Sequence, residues 1–176
     1  MDSQGPLNTT AAAMLGLLSQ IGPINGNGLS SSADVLIGDY WTLTRSQVYR
    51  ELQNLERRGF VHAGPLGPRS SREFSLTESG RAAFHEWLDA GPAGEVIRFP
   101  MLLTIRFASG LPPERLRDLL DDFESRHRAK REFYEQLEAD LVDAQSDPFE
   151  IATVRFGRLF EAAVATWLDE LANIVP

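Results

Sequence analysis

Cysteine is absent from the 176 residues, and Lys130 is the only lysine. The lack of cysteine excludes disulfides, thiol chemistry and cysteine-based zinc sites. No stretch reaches the roughly 18 apolar residues that a membrane span requires. The first seven residues lack the basic segment of a secretory signal. These absences favour a cytoplasmic protein with no membrane partner.

Motifs for catalysis and metal binding are also missing. His62, His85 and His127 are far apart in the sequence, and none has the spacing of a metal-ligand pair. The sequence contains neither a Gly-x-Ser-x-Gly elbow nor a phosphate-binding loop. Acidic residues such as Glu138 and Asp140 are interpreted as solvated helix residues. We therefore predict no enzymatic activity, no catalytic residue, no cofactor and no metal.

Charge is distributed unevenly along the chain. The net charge is −8, yet residues 45–72 hold six arginines and two glutamates, a local charge of +4. Most of the acidity follows residue 110. A basic patch on an acidic body suits docking at a defined polyanionic site more than general coating of nucleic acid. Arginine also suits phosphate and guanine better than lysine does, because its planar guanidinium can donate two hydrogen bonds to one of them at once.

Residues 44–58 have the pattern of a short amphipathic helix. Val48, Leu52 and Leu55 recur at i, i+4 and i+7, which places them on one core-facing side. Thr44 and Gln47 have the Thr-x-x-Gln spacing of a capping box. The sequence therefore predicts a helix that begins directly after Thr44.

The opposite side of this helix is polar and basic. At about 100° per residue it carries Ser46, Arg50, Gln53 and Arg57, with Tyr49 at its edge. Guanidinium, hydroxyl and amide groups on an outward face suit phosphates and base edges in a DNA major groove. The alternative is an ordinary solvated helix, because arginine and glutamine are common surface residues.

The segment after this helix favours the DNA interpretation. Gly59 ends the helix, residues 60–63 and 72–77 resemble two strands, and residues 64–71 form a turn-rich connection between them. A hairpin directly after a polar-faced helix indicates a winged helix-turn-helix. The residues that we expect to contact double-stranded DNA are Arg45, Ser46, Tyr49, Arg50, Gln53, Arg57 and, at the tip of the wing, Arg69 and Arg72.

Further helices complete the predicted N-terminal domain. A first helix over residues 8–21 is capped by Thr9 or Thr10, with Ile21 among its buried residues. A second helix runs from about Ser30 to Ile37, because the glycines of 25–28 are poor helix formers. Its inward residues are Leu29, Val35 and Leu36. A fourth helix starts at Thr77, and the glycine-rich stretch 90–94 separates a winged-helix domain at 8–90 from a helical domain at 95–176.

The second domain is predicted to be an antiparallel helical hairpin for dimerisation. A helix at 95–108 contains Pro100, which indicates a late start or a kink. A long helix opens at Pro112–Pro113 with apolar residues four and three apart, and a last helix opens at Asp147–Pro148. The residues expected at the interface of a homodimer are Phe156, Phe160, Ala163, Trp167 and Leu171. The alternative is a hairpin that folds onto its own N-terminal domain.

Tryptophans provide a hypothesis for a regulatory ligand. Trp41 and Trp87 could line a pocket for a small planar effector, because aromatic faces suit such molecules. The alternative is that they are core or dimer-interface residues.

Several short motifs, in this order and spacing, resemble the PadR-like transcriptional regulators. They are Leu15-Gly-Leu-Leu18, Gly22-Pro-Ile-Asn-Gly26, Tyr40-Trp41, Tyr49-Arg-Glu-Leu52, Gly59-Phe-Val61 and Phe74-Ser-Leu-Thr-Glu-Ser-Gly-Arg81. Residues 95–172 are similar to the long C-terminal domain of the virulence-activator-like subgroup. The resemblance implies a homodimeric winged-helix regulator of palindromic DNA, often a repressor that a small molecule releases. A hypothesis from another class is a winged-helix protein-interaction adaptor that binds no DNA, although the basic outward face of residues 45–58 favours DNA.

Overall fold

The computed structural model describes residues 5–67, 71–91, 94 and 97–174. It is mostly α-helical with a small antiparallel sheet, which confirms the predicted fold class. The chain divides into two compact units, residues 1–96 and 97–176. Unit 1 contains α1 (Thr9–Ile21), β1 (Ile24–Asn25), α2 (Gly26–Leu36), α3 (Arg45–Arg57), β2 (Val61–Ala63), β3 (Glu73–Leu76) and α4 (Glu78–Ala90). Unit 2 contains α5 (Pro100–Arg106), a 3₁₀ turn (Ala108–Gly110), α6 (Pro113–Asp143) and α7 (Pro148–Leu171).

The core of unit 1 is built from the inward sides of α1, α2 and α3. Its most deeply buried large side chains are Met14, Leu15, Leu18, Leu29, Val48, Leu52 and Leu55. The predicted cap of α1 is wrong, because the Asn8 side chain accepts from the Ala11 amide at 2.8 Å. Ile21, predicted to be buried, is 38% exposed at the end of that helix.

The second helix begins earlier than predicted. Asn25 caps α2 by accepting the Gly28 amide at 2.8 Å, so the helix starts at Gly26 despite its glycines. Leu29 is buried as predicted, whereas Val35 and Leu36 are exposed, and the inward position is taken by Ala33. The Asn25 side chain supplies a hydrogen-bond acceptor to the first turn of α2, and helix propensities alone do not reveal such a cap.

The wing is a hairpin within a three-stranded sheet of order β1-β3-β2. Phe74 of β3 lies opposite both Ile24 of β1 and Ala63 of β2. The two-residue strand β1 was missed, because it is too short to show alternation. The fourth helix, predicted to start at Thr77, begins at Glu78 with Thr77 as its cap. The Thr77 hydroxyl also donates to the Gly59 carbonyl at 2.8 Å, which ties the start of α4 to the end of α3.

Unit 2 is dominated by the predicted antiparallel pair α6 and α7. Pro100 starts α5, so the proposed late start is correct and residues 97–99 are not helical. Pro113 opens α6, and Asp147 caps α7 by accepting the Phe149 amide at 3.0 Å. Residue 95, the predicted first residue of this domain, lies outside the described residues.

Polar contacts join α6 to α7 at two levels. Arg155 and Arg158 of α7 donate to the two oxygens of Glu138, at 2.6 and 2.5 Å. These hydrogen bonds, first from Arg155 and then from Arg158, lower the pKa of Glu138. The interpretation of Glu138 as a solvated acid is therefore wrong, since its side chain is only 12% exposed. Nearer the start of α6, His127 contacts the buried carboxylate of Glu161 at 2.5 Å.

Across the described residues, no helix combines the length and the apolarity that crossing a bilayer requires.

Candidate nucleic-acid interface

The N-terminus of α3 is fixed by the predicted capping box. The Thr44 amide donates to the Gln47 side chain at 2.8 Å, and the Gln47 amide donates to the Thr44 hydroxyl at 3.3 Å. Two orphan amides of the first turn are thereby satisfied within the protein. The start of α3 is consequently a defined position from which the following side chains project.

The inward and outward sides of α3 are as predicted from the sequence. Val48, Leu52 and Leu55 are almost completely buried in the core of unit 1. The exposed outer stripe consists of Ser46, Arg50, Gln53 and Arg57, with Arg45 beside it in the first turn. From Ser46 to Arg57 this stripe runs about 16 Å along the helix at 1.5 Å per residue. It can therefore follow several base pairs along a groove.

The two glutamates of α3 reduce the positive charge of this stripe less than the sequence suggests. Glu51 lies on the inward side and is 8% exposed, so its carboxylate does not share the outer face. Glu56 is paired with Arg72 across 3.6 Å. Position on the helix separates these acids from Arg50 and Arg57, a distinction that a count of charges along the sequence misses.

Tyr49 has a structural role that the sequence did not indicate. A Cβ atom on Gly26 would lie 2.7 Å from Cε1 and 2.9 Å from Cζ of Tyr49. The ring of Tyr49 therefore packs against the first residue of α2, and a side chain at position 26 would displace it. Tyr49 is still 42% exposed, so it lies at the edge of the outer stripe as predicted.

Arg57 and Arg72 are held by neighbouring groups. The Arg57 guanidinium donates to the Asn54 side chain at 3.0 Å. Arg72 donates from Nε to the Gly64 carbonyl at 3.1 Å, at the base of the wing. Arg72 therefore does not extend from the tip of the hairpin, where the sequence had placed it. Arg69, the other predicted wing contact, lies outside the described residues.

The two tryptophans that were considered for an effector have different surroundings. Trp87 is partly buried against the core of unit 1 and stacks on Phe84, with 6.4 Å between ring centroids. Trp41 is 37% exposed and follows the turn after α2. Trp87 therefore has a packing role, which fits the alternative that its ring is structural.

The apolar stripe predicted for dimerisation separates into exposed and buried parts. Phe156 and Phe160 are 64% and 40% exposed, and Ala163 is also exposed. Trp167 is partly buried in an aromatic cluster with Phe99 and Phe123, and Leu171 is buried within its own unit. Phe156 and Phe160 thus offer more free apolar area than Leu171. Leu159, which the sequence analysis did not select, is 54% exposed on the same helix.

No group of three histidine or acidic side chains in the described ranges is placed to hold a metal ion.

Comparison with known proteins places both units in described families. Residues 14–86 match the model of the transcriptional regulator PadR-like family, and residues 97–175 match the virulence activator alpha C-term model. The chain is similar to the negative transcriptional regulator PadR of Bacillus subtilis, with 26% identity across 93% of this chain and 95% of the relative.

Solved structures of the Bacillus subtilis protein are also similar. Its complex with operator DNA superimposes with a TM-score of 0.80 at 24% identity, covering 98% of this chain and 100% of the other. Its complex with p-coumaric acid gives a TM-score of 0.73 at 25% identity, covering 95% and 98%. The helix-turn-helix with its wing agrees with the first family match and the helical hairpin with the second: the chain combines a PadR-like family domain with a virulence activator alpha C-term domain.

Proposed function

We propose that this protein is a sequence-specific DNA-binding transcriptional regulator that acts as a homodimer on a palindromic operator. The observation that carries the proposal is the outer stripe of α3. It presents two arginines, a serine and a glutamine on the exposed side of a helix whose other side is anchored in the core. An adaptor that binds no DNA has no need for that combination on one exposed face.

In this proposal α3 enters the major groove. Arg50 and Gln53, in the middle of the stripe, contact base edges, because their forked side chains match guanine and adenine respectively. Arg45, Ser46 and Arg57 lie towards the two ends and contact phosphates, which fix the position of the helix without reading sequence. Tyr49 contacts the edge of the groove and also maintains the packing of α2 on α3.

A homodimer supplies the second half-site. The exposed side of α7, with Phe156 and Phe160, is the surface that we propose for the second copy, because a large apolar area on a helix favours association. A two-fold axis through that contact would present two copies of α3 to successive major grooves, about 34 Å apart. The operator would then be an inverted repeat.

Repression and relief by a ligand complete the proposal. The Bacillus subtilis relative is a negative regulator that has been seen both with operator DNA and with p-coumaric acid. By analogy we propose that this chain represses transcription in the cytoplasm and responds to a small planar effector. Trp41 is the more accessible of the two candidate residues. In this proposal the ring of Trp87, stacked on Phe84, forms one side of the effector site.

A mobility-shift titration tests the DNA-binding proposal. The probe is the region upstream of the protein's own gene, with a shuffled sequence of the same composition as competitor. Arg50→Ala is expected to weaken specific binding by about 1–3 kcal/mol, because a base contact is lost. The matched control is Arg128→Ala, which removes an exposed arginine from α6 and is expected to bind like the parent. If the parent shows no preference for any DNA, the adaptor hypothesis replaces this one.

A further inference from the structure

Arg72 makes two contacts at the base of the wing, and both are within unit 1. Its Nε donates to the carbonyl of Gly64 at 3.1 Å, and its Nη2 lies 3.6 Å from Oε1 of Glu56. Gly64 in turn donates its amide to the carbonyl of Glu73 at 2.8 Å. Gly64 lies at one end of the connection between β2 and β3, and two contacts join it to the other end. One is the backbone hydrogen bond with Glu73, and the other is the hydrogen bond from the Arg72 side chain.

The contact with Glu56 extends this junction to the DNA-binding helix. Glu56 is in the last turn of α3, so Arg72 adds a polar link between that helix and a hairpin whose strands already share the core of unit 1 with it. A guanidinium can make this link because its donors form a rigid planar fork that reaches two acceptors at once. The same engagement directs Nε and Nη2 of Arg72 towards the protein.

We propose that Arg72 is a positioning residue, and that the Arg72–Glu56 pair sets the wing against α3 for DNA binding. This inference rests on the proposed function, because the relative position of the two elements matters when both meet one duplex. It replaces the prediction that Arg72 contacts DNA from the tip of the wing. An ion pair of this exposure contributes little free energy by itself. The pair therefore acts by restricting the orientation of the wing, which raises the affinity for DNA because less ordering remains to be done on binding.

Affinity and its salt dependence distinguish positioning from phosphate contact. Arg72→Ala, Arg72→Lys and Glu56→Gln are each expected to weaken operator binding about two- to five-fold, with the salt slope of the parent retained. Lysine keeps the charge but cannot make the forked contact. The double variant Glu56→Gln/Arg72→Ala is expected to bind no more weakly than Arg72→Ala. Glu73→Gln is the matched control, since it removes one carboxylate from an exposed neighbouring side chain and leaves the pair intact.

A phosphate contact produces the opposite pattern and would overturn the proposal. Arg72→Lys would then bind nearly as the parent does, Arg72→Ala would flatten the salt slope by about one unit, and Glu56→Gln would bind as well or better.

Hydrogen exchange in the free protein separates this inference from the proposed function. The reporters are the amides of Gly64 and Gly67, which donate to Glu73 and Ser71 within the wing. Their exchange is expected to be about two- to five-fold faster in the Arg72 and Glu56 variants than in the parent or the Glu73 control. Unchanged exchange would overturn the role of the pair even if the parent binds DNA. If the variants exchange faster but the parent binds no DNA, the role of the pair stands and only the proposed function is rejected.

Discussion

Phe156→Ala is expected to dissociate the homodimer. Phe156 is 64% exposed in the single chain, and a phenylalanine side chain can bury roughly 150–250 Å². About 100–160 Å² of Phe156 is therefore available to a partner, worth about 2.5–4 kcal/mol per protomer at 25 cal/mol per Å². A symmetric interface loses this contribution twice, about 5–8 kcal/mol, which corresponds to a rise in the dissociation constant of about 10⁴- to 10⁶-fold.

Sedimentation velocity over a range of protein concentrations measures this change. The parent is expected to sediment as a dimer, and Phe156→Ala as a monomer at the same concentration. The matched control is Phe133→Ala, which removes an aromatic side chain of similar exposure (58%) from α6. The reasoning is refuted if Phe156→Ala dissociates no more readily than Phe133→Ala, because the exposed side of α7 would then not be the interface.

Three further substitutions test the packing of the helical hairpin. In chemical denaturation, His127→Leu should lower the free energy of unfolding by about 3–5 kcal/mol, because it leaves the buried Glu161 carboxylate unpaired. The double variant His127→Leu/Glu161→Leu should recover most of that loss, because it removes the buried carboxylate as well. Gly157→Ala should lower the thermal midpoint, because the new methyl group would lie 2.6 Å from the Tyr134 ring, and Tyr134→Leu in the same background should restore it. Glu138→Gln should lower the free energy of unfolding at neutral pH. The difference in that free energy between the variant and the parent should narrow as the pH falls below 4.5, the ordinary pKa of a glutamate. The reason is that a pKa lowered in the folded state contributes stability that is lost when the carboxylate is protonated. An unchanged difference at low pH would contradict the ion-pair account of that residue.

The helix α3 could be predicted from sequence because several local signals agree there. The capping box at Thr44, the apolar spacing of Val48, Leu52 and Leu55, and the glycine at position 59 that ends the helix all specify the same element. The structure confirms each of them. Long periodic segments in unit 2 were predicted correctly for the same reason, since their caps and their apolar spacing coincide.

Tertiary contacts explain what the sequence did not reveal. The start of α2 depends on the Asn25 cap and on Gly26, whose missing side chain leaves room for Tyr49. These features outweigh the low helix propensity of glycine. The partner of Glu138 is on another helix, and periodicity within α6 carries no information about it. The position of Arg72 likewise depends on how the hairpin returns to α3, which turn composition alone does not determine.

Burial divides the residues that the sequence analysis grouped into one dimer interface. A helix such as α7 can have apolar residues on more than one side, and sequence spacing groups them into a single stripe. Leu171 is buried and Trp167 is partly buried within unit 2, whereas Phe156 and Phe160 are exposed. The side that packs on α6 and the side that is free for a partner can be told apart only when the hairpin is formed.

Selection of DNA from a randomised pool, followed by sequencing, tests the central claim most directly. The parent is expected to enrich an inverted repeat whose half-sites are centred about one helical turn apart, because two copies of α3 must enter successive major grooves. Arg50→Ala should relax the preference at one symmetry-related position in each half-site. Enrichment of no sequence by the parent, or of a motif that is identical for the parent and Arg50→Ala, would contradict the assignment of α3 as the element that reads DNA.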